Sequence, residues 1–237
     1  MIEKNKSCVA IRHLQFEDLG IFAAPILEAG YEIQYIDAPV ESLSGAKEAD
    51  LLFILGGPCG VYEDHLYPYI KEEIALAKER IEKELPTVGI CLGAQIIASA
   101  AGAEVYAGTN GKEIGWAPIS LTEEGLSGPL APLTNGGAPM FHWHGDTFDL
   151  PKGATLLGSS QLYENQIYAI GDHILGFQSH PELDPLKIEH WLIGHACELA
   201  QASHIDLLGI RENTKKSGEL LKRNGIEAMT NWLGSLN

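Results

Sequence analysis

The sequence predicts an α/β fold in which a mostly parallel, doubly wound sheet carries helices on both faces. In the first hundred residues, short apolar runs alternate with longer stretches of helical periodicity. Leu51–Leu55 and Pro86–Ile90 are continuously apolar, as expected of strands that are buried on both faces. Strand–helix–strand alternation favours right-handed crossovers, and these place consecutive strands parallel in one sheet.

The same alternation assigns the other elements of the first half. Cys8–Ile11 and Glu32–Ile36 are predicted strands, and the helix between them contains Pro25. We expect that helix to be short or kinked, because proline removes a backbone donor and clashes with the preceding turn. Helical spacing covers Tyr69–Lys83, and a small-residue helix is predicted over Leu92–Ala101.

The second half has shorter strands that are separated by glycine and proline. Ile114–Leu121, Met140–Trp143 and Gln166–Ile170 are candidate strands, and their spacing favours antiparallel pairing. We expect them to form a small antiparallel flap beside the parallel sheet.

The C-terminal part is predicted to be helical. Asp184 followed by Pro185 is typical of a helix start, and this helix is expected to run to about Ala202. From Ile205 the pattern suggests an appended helical hairpin. We therefore expect one catalytic domain over residues 1–204 and a helical extension over residues 205–237.

Composition excludes several classes of function. The chain has 237 residues and a formal net charge of −16, which opposes binding to nucleic acid or to an anionic membrane. The apolar run near the N-terminus, Cys8–Ile11, is too short for a signal-peptide core, and no later run approaches the roughly 18 apolar residues of a membrane helix. The four cysteines are widely spaced without a CxxC pair, so neither a zinc motif nor a disulfide framework is indicated. We expect a cytoplasmic protein.

The most informative segment is Gly89-Ile90-Cys91-Leu92-Gly93, which follows an apolar strand and opens a helix. It is the cysteine version of the Gly-x-Ser-x-Gly nucleophile elbow. The two glycines let strand and helix pass closely, and the helix N-terminus favours a thiolate. The N–H of Leu92 is placed to donate to an oxyanion. A buried structural cysteine is the alternative for this segment taken alone.

A base for the cysteine is predicted in His180-Pro181-Glu182. In an extended segment, side chains two residues apart face the same way, so Glu182 is expected to orient the imidazole of His180. The turn Gly56-Gly57-Pro58 ends another buried strand, and we expect it to share the crevice above Cys91.

Together and in this order, these motifs resemble the class I, triad-type glutamine amidotransferases. The segment Gly89–Gln95 carries the resemblance, as do the Gly-Gly-Pro turn and the His-Pro-Glu motif. His144-Gly145-Asp146 is similar to a turn of the GMP-synthetase-type subgroup. The resemblance covers roughly residues 8–200 and implies the flavodoxin-like fold of this family.

The resemblance implies a mechanism for hydrolysis of the glutamine side-chain amide. Cys91 attacks the amide carbon, the N–H groups of Gly57 and Leu92 hold the oxyanion, and a γ-glutamyl thioester forms. His180 protonates the departing ammonia and then activates water, while Glu182 orients His180. Ammonia passes to an acceptor on another chain.

The resemblance also implies substrate contacts. Gln95 and the segment His144-Gly145-Asp146 correspond to residues that bind the glutamine substrate. No cofactor is implied. His142 and His144 are two residues apart, but the sequence suggests no third ligand, so no metal site is expected.

Two features leave the activity open. No ATP-using domain follows the amidotransferase segment, so the resemblance is to a stand-alone domain whose synthetase is a separate subunit or absent. The aromatic run Phe141–His144 and Cys59 could also change what fits beside a γ-glutamyl group. The alternatives are a γ-glutamyl peptidase or hydrolase with the same triad, a non-catalytic regulatory subunit, and a redox-sensing relative, which would not need His-Pro-Glu.

Overall fold

A computed structural model of the chain describes residues 6–202 and 205–236. The strands are β1 Lys6–Arg12, β2 Tyr31–Asp37, β3 Leu51–Ile54, β4 Thr87–Ile90, β5 Val105–Ala107, β6 Glu113–Pro118, β7 Ser120–Leu121, β8 Pro139–His144, β9 Asp146–Phe148, β10 Thr155–Ser159, β11 Ile167–Ile170 and β12 Ile174–Phe177. The α-helices are α1 Ala23–Glu28, α2 Tyr69–Glu82, α3 Leu92–Ala100, α4 Glu123–Ser127, α5 Ile188–Gly194, α6 Ala196–Gln201 and α7 Leu207–Ser235.

The central sheet has eight strands in the order β2-β1-β3-β4-β12-β11-β10-β7. The first five strands are parallel, and β11, β10 and β7 extend the sheet with antiparallel pairings. The predicted α/β class with a mostly parallel sheet is therefore confirmed.

Apolar side chains cover both faces of this sheet. On one face Ile70 and Leu76 of α2 and Ile96 of α3 pack against it. On the other face the core contains Ile26 of α1 and Trp232 of α7. The α1 helix has only six residues, as the proline within it led us to expect.

The carboxyl ends of four neighbouring parallel strands meet at one edge. His13 follows β1, Gly56 lies just beyond β3, Cys91 follows β4, and His180 lies beyond β12. Because parallel strands present their carboxyl ends at the same edge, residues far apart in sequence gather there.

The predicted flap consists of two antiparallel ribbons, β5 with β9 and β6 with β8. The strand expected over Gln166–Ile170 is antiparallel but does not belong to the flap, because it is β11 of the central sheet. The single strand expected over Ile114–Leu121 is wrong in one respect. It divides after Pro118, so that β6 joins a ribbon whereas β7 joins the edge of the central sheet.

The helix predicted to run from Asp184 to Ala202 is interrupted. The Asp184 side chain does accept a hydrogen bond from the N–H of Leu186, and a short 3-10 turn follows. The chain then forms α5 and α6, which are separated at His195, where φ is −101° and ψ is 21°. This break lies beside the crevice at the carboxyl edge of the sheet.

The helical hairpin expected after Ile205 is also wrong, because α7 is one helix of 29 residues. Its internal glycines are contact points rather than breaks. A Cβ on Gly218 would lie 2.6 Å from Cβ of Pro185, and one on Gly225 would lie 2.8 Å from the carbonyl oxygen of Pro181. The α7 helix therefore packs directly behind the segment that follows His180. The domain boundary predicted at residue 204 lies outside the described residues.

None of the helices in the described part of the chain combines the length and the apolar character that crossing a membrane requires.

Candidate active site

Cys91 occupies the sharp turn that its motif predicted. It lies between β4 and α3 with φ 53° and ψ −108°, a backbone conformation that L side chains rarely adopt. The flanking glycines allow this turn. A Cβ on Gly89 would lie 2.5 Å from the carbonyl of Gly93, and one on Gly93 would lie 1.8 Å from the oxygen of Ile54. Strained backbone of this kind is concentrated at functional sites.

His180 and Glu182 form a buried pair, with 2.7 Å between Nδ1 and Oε1. Burial by itself lowers the pKa of His180, but the Glu182 carboxylate and Cys91 outweigh it, and this pKa is raised well above its usual value. Burial raises the pKa of Glu182, against the opposing effect of His180. The hydrogen bond at Nδ1 leaves Nε2 as the ring nitrogen that can exchange a proton with a thiol.

The Cys91 thiol is buried close to that imidazole. Its Sγ donates to the carbonyl oxygen of Trp143 at 3.5 Å. Burial raises the pKa of the Cys91 thiol, whereas His180 and the N–H of Leu92 lower it. The groups that favour the thiolate are therefore in place around a thiol that burial otherwise keeps neutral.

The Gly56-Gly57 turn is supported from behind by a second buried histidine. His13 Nδ1 donates to the carbonyl oxygen of Gly56 at 2.8 Å, and its Nε2 lies 3.1 Å from a carboxylate oxygen of Glu73. Burial lowers the pKa of His13, but Glu73 outweighs it, so this pKa is raised. A Cβ on Gly57 would lie 2.9 Å from the His13 ring and 3.0 Å from Leu92, so only glycine fits.

A cavity of about 520 Å³ opens in front of Cys91 and Gly57, and His180 and His13 lie behind its wall. Its walls include Cys91 and two residues of the turn after β3, Gly57 and Pro58. They also include every residue that the resemblance assigned to substrate binding: Gln95, His144, Gly145 and Asp146. Gln95 Nε2 donates to Oε1 of Gln178 at 3.0 Å, which fixes the amide at the base of the cavity. The structure therefore brings the predicted site residues together.

The opposite wall comes from the break between α5 and α6. His195 Nε2 lies 3.0 Å from Oε1 of Glu17, a buried residue in the loop after β1. Glu198 forms an ion pair with Lys112, and its Oε2 accepts from Nε1 of Trp143 at 2.9 Å. Trp191 packs edge-on against His180, with 4.7 Å between ring centroids.

Four residues beside the site were not predicted from the sequence: His13, Glu73, Glu17 and His195. None lies in a motif, and only the strand order and the helix break bring them to the site. Sequence reasoning also found no third ligand for His142 and His144. The structure supplies one, because Glu113 lies opposite His144 in the β6–β8 ribbon.

Comparison with known proteins identifies the family to which the chain belongs. Residues 23–193 match the family Glutamine amidotransferase class-I. The glutamine amidotransferase-like protein YfeJ of Salmonella typhimurium is 34% identical over 80% of this chain and 81% of that protein. The crystal structure of a glutamine amidotransferase from Thermotoga maritima has a TM-score of 0.85 and 34% identity, with 98% of this chain and 99% of that chain covered.

Two other relatives differ in the activity that their names state. Gamma-glutamyl peptidase 3 of Arabidopsis thaliana is 26% identical over 69% of this chain and 68% of that protein. A glutamine-hydrolysing GMP synthase of Prochlorococcus marinus is 33% identical over 56% of this chain but only 24% of that protein. The resemblance to a GMP-synthetase-type amidotransferase is confirmed, and this chain belongs to the family of class I glutamine amidotransferase enzymes.

Proposed function

We propose that the protein hydrolyses the side-chain amide of glutamine through a covalent thioester on Cys91. The observation that carries this proposal is the strained Cys91 elbow beside the buried His180–Glu182 pair. A cysteine nucleophile needs a neighbouring base, and the base needs a third group that fixes its orientation.

The reaction runs in two balanced halves. The thiolate of Cys91 attacks the amide carbon, and the N–H groups of Gly57 and Leu92 stabilise the negative charge on the carbonyl oxygen. The C–N bond breaks as His180 Nε2 gives its proton to the nitrogen, and ammonia leaves. His180 then removes a proton from water, which attacks the thioester carbonyl and releases glutamate with the thiol restored. Glu182 keeps Nε2 directed at the reacting atoms throughout.

The substrate is held on the flap side of the cavity. Gln95 and the backbone of Gly145 offer polar groups to the bound amino acid, and Asp146 offers a carboxylate to its α-amino group. His144 completes this wall. Residues 1–204 supply all of these groups, so we take them as the catalytic domain and residues 205–237 as an extension that supports it.

Ammonia release from glutamine tests the proposal directly. We expect turnover by the wild-type chain, loss of turnover in Cys91→Ser and His180→Ala, and retained folding by circular dichroism. The exposed His65→Ala serves as a matched control and should keep full activity. Acid quench followed by mass spectrometry should show the γ-glutamyl adduct on Cys91. Full activity in Cys91→Ser would overturn the assignment.

We further propose that the ammonia is delivered to a synthetase on a separate chain. The similarity to a much longer GMP synthase supports this, because the matching segment is only 24% of that protein. The four cysteines of this chain are free thiols, which suits the reducing cytoplasm. Co-purification from the native host, followed by glutaminase assays with and without the captured partner, tests this step.

Hydrolysis of larger γ-glutamyl conjugates is the second candidate. A cavity of about 520 Å³ is in the range of sites for drug-sized ligands, roughly 300–1,000 Å³, whereas glutamine is far smaller. The similarity to gamma-glutamyl peptidase 3 supports the same substrate class. A panel of γ-glutamyl peptides run beside glutamine decides between the two by kcat/KM. No turnover of any substrate would favour a regulatory subunit.

A further inference from the structure

We propose that Glu113, His142 and His144 form a binding site for a divalent transition-metal ion of the zinc type. The three side chains are buried, and one ligand atom from each lies within 4.8 Å of the other two. The site lies behind the flap wall of the cavity, on the strand that leads into the His144-Gly145-Asp146 turn. The ion would support the wall that holds the substrate, and no chemical step of the proposed reaction uses it.

The β6–β8 ribbon brings the three groups to one face. Glu113 lies directly opposite His144 in the antiparallel register, and His142 lies opposite Gly115. Residues two apart on a strand project to the same side, so both imidazoles and the carboxylate share that face. Gly115 has φ 113° and carries no side chain to cover His142.

The hydrogen bonds of His144 place the lone pair of its Nε2 toward the carboxylate of Glu113. Nδ1 lies 2.9 Å from the carbonyl oxygen of Asp146, and a carbonyl accepts only, so Nδ1 carries the hydrogen. In the neutral ring Nε2 is then unprotonated, yet it lies 3.0 Å from Oε2 of Glu113. The side-chain amide of Gln166 lies beside both atoms, with its nitrogen 2.7 Å from Oε2 of Glu113 and 3.1 Å from Nε2 of His144. With the amide turned over, its oxygen, which now lacks a partner, would face the same point and become a further ligand of the ion. Metal-bound histidines make the same second contact, an N–H donated to a backbone carbonyl.

His142 supplies the second observation. Its side chain is fully buried, and neither ring nitrogen makes a hydrogen bond of acceptable geometry. Oε1 of Gln166, in the same cluster, also lacks a partner. Buried polar atoms without partners are rare in folded proteins, and an ion or a water is the usual explanation.

The distances suit a tetrahedral ion. Nδ1 of His142 and Nε2 of His144 lie 3.3 Å and 3.0 Å from the same carboxylate oxygen. Ligands about 2.0–2.1 Å from zinc in a tetrahedron are separated by roughly 3.3 Å. Two of the three distances between ligand atoms therefore already match those of a tetrahedral zinc site. The hydroxyl of Ser160 lies 3.0 Å from Oε2 of Glu113 and is close enough to supply the fourth ligand, an oxygen.

The ligand set selects the class of ion. Two imidazoles and one carboxylate are typical zinc ligands, whereas magnesium and calcium prefer oxygen. The enclosure of all three groups favours a structural ion that holds the His144-Gly145-Asp146 turn in position, rather than a catalytic one with an open coordination position.

The test is metal content and affinity in the full-length chain. Protein refolded with Zn²⁺ and then dialysed should retain one equivalent by inductively coupled plasma mass spectrometry, in a Cys91→Ala background that removes the active-site thiolate. Refolding with Co²⁺ should give a d–d spectrum of nitrogen and oxygen ligands without a thiolate charge-transfer band. His142→Asn and Glu113→Gln should weaken binding by more than the roughly 10–100-fold that follows loss of an outer-shell partner.

Matched variants keep the result interpretable. The exposed His65→Ala should bind metal as the Cys91→Ala parent does, and the Co²⁺ spectrum of that parent does not require any ligand variant to fold. Retention of less than a tenth of an equivalent, a thiolate-type Co²⁺ spectrum, or unchanged affinity in a folded His142→Asn would overturn the proposal. The cluster would then be a hydrogen-bonded network that holds protons or water only.

Discussion

His13 Nδ1 donates a hydrogen bond of 2.8 Å to the carbonyl oxygen of Gly56. The peptide that joins Gly56 to Gly57 is planar and trans, so its N–H points opposite to its carbonyl. By holding the carbonyl toward His13, the histidine directs the Gly57 N–H away from itself. This hydrogen bond therefore sets the orientation of one of the two proposed oxyanion donors, although His13 itself does not line the cavity.

We expect His13→Ala to lower kcat for glutamine by up to about 10²–10³-fold, the effect of losing one oxyanion donor. KM should change much less, because the residues that hold the amino acid are untouched. Steady-state kinetics of His13→Ala and His13→Asn beside His65→Ala provide the measurement. Unchanged kcat in a folded His13→Ala would show that the Gly56–Gly57 peptide holds its orientation without the histidine.

The close approach of α3 to β3 gives a prediction for stability. Gly93→Ala places a methyl group 1.8 Å from the oxygen of Ile54, so strand and helix must separate. We expect a loss above about 3 kcal/mol in the free energy of unfolding, within the range of severe core substitutions. Gly234→Ala in α7, whose Cβ would meet nothing within 4 Å, is the matched control. It should be neutral or slightly stabilising. Urea unfolding of both variants decides.

The burial of Cys59 leads us to expect that the free energy of unfolding depends on pH. Burial raises the pKa of Cys59 to about 11, whereas an unfolded thiol titrates near ~8.5. The folded state holds this proton more tightly, so the contribution is complete below the unfolded pKa and is lost as pH rises toward the folded pKa. Wild-type stability should therefore fall more steeply between pH 8.5 and 11 than that of Cys59→Ala. Equal slopes would contradict this assignment.

We expect the charge of Glu17 to affect the reactivity of the Cys91 thiol. Burial is the main cause that raises the pKa of Cys91, and the negative charge of Glu17 adds to it. Glu17→Gln should lower this pKa, so that alkylation of Cys91 by iodoacetamide proceeds at lower pH than in the wild type. Glu198→Gln, on the same cavity wall but paired with Lys112, should leave the alkylation profile in place. A shift in both variants would indicate a general change of the cavity charge instead.

The parts of the site that sequence could predict are local. Glycines two residues away on either side indicate that Cys91 is a nucleophile. A carboxylate two residues further on indicates that His180 is its base. These spacings carry the physics of a tight turn and of an extended strand. The fold class followed in the same way from alternating apolar runs, which the observed sheet confirms.

The supporting residues depend on strand order and could not be predicted. His13 and Glu73 are 60 residues apart, and Glu17 and His195 are 178 residues apart. Nothing in either local sequence indicates its partner. The prediction for α7 was wrong because the local sequence pattern of this helix was misleading. Its glycines weaken the helical pattern locally, but close contact with Pro181 and Pro185 requires them and outweighs their low intrinsic propensity.

The contact between Gly225 and Pro181 shows that the family match and the folded core end at different places in the chain. The match to the model of the amidotransferase family ends at residue 193, before α7 begins. Yet α7 packs against the backbone that carries His180 and Glu182, and Trp232 lies in the same core as Phe22 and Phe177. A fragment cut where the similarity stops would expose that core. The segment that defines the family is therefore shorter than the segment that folds around one core in this protein.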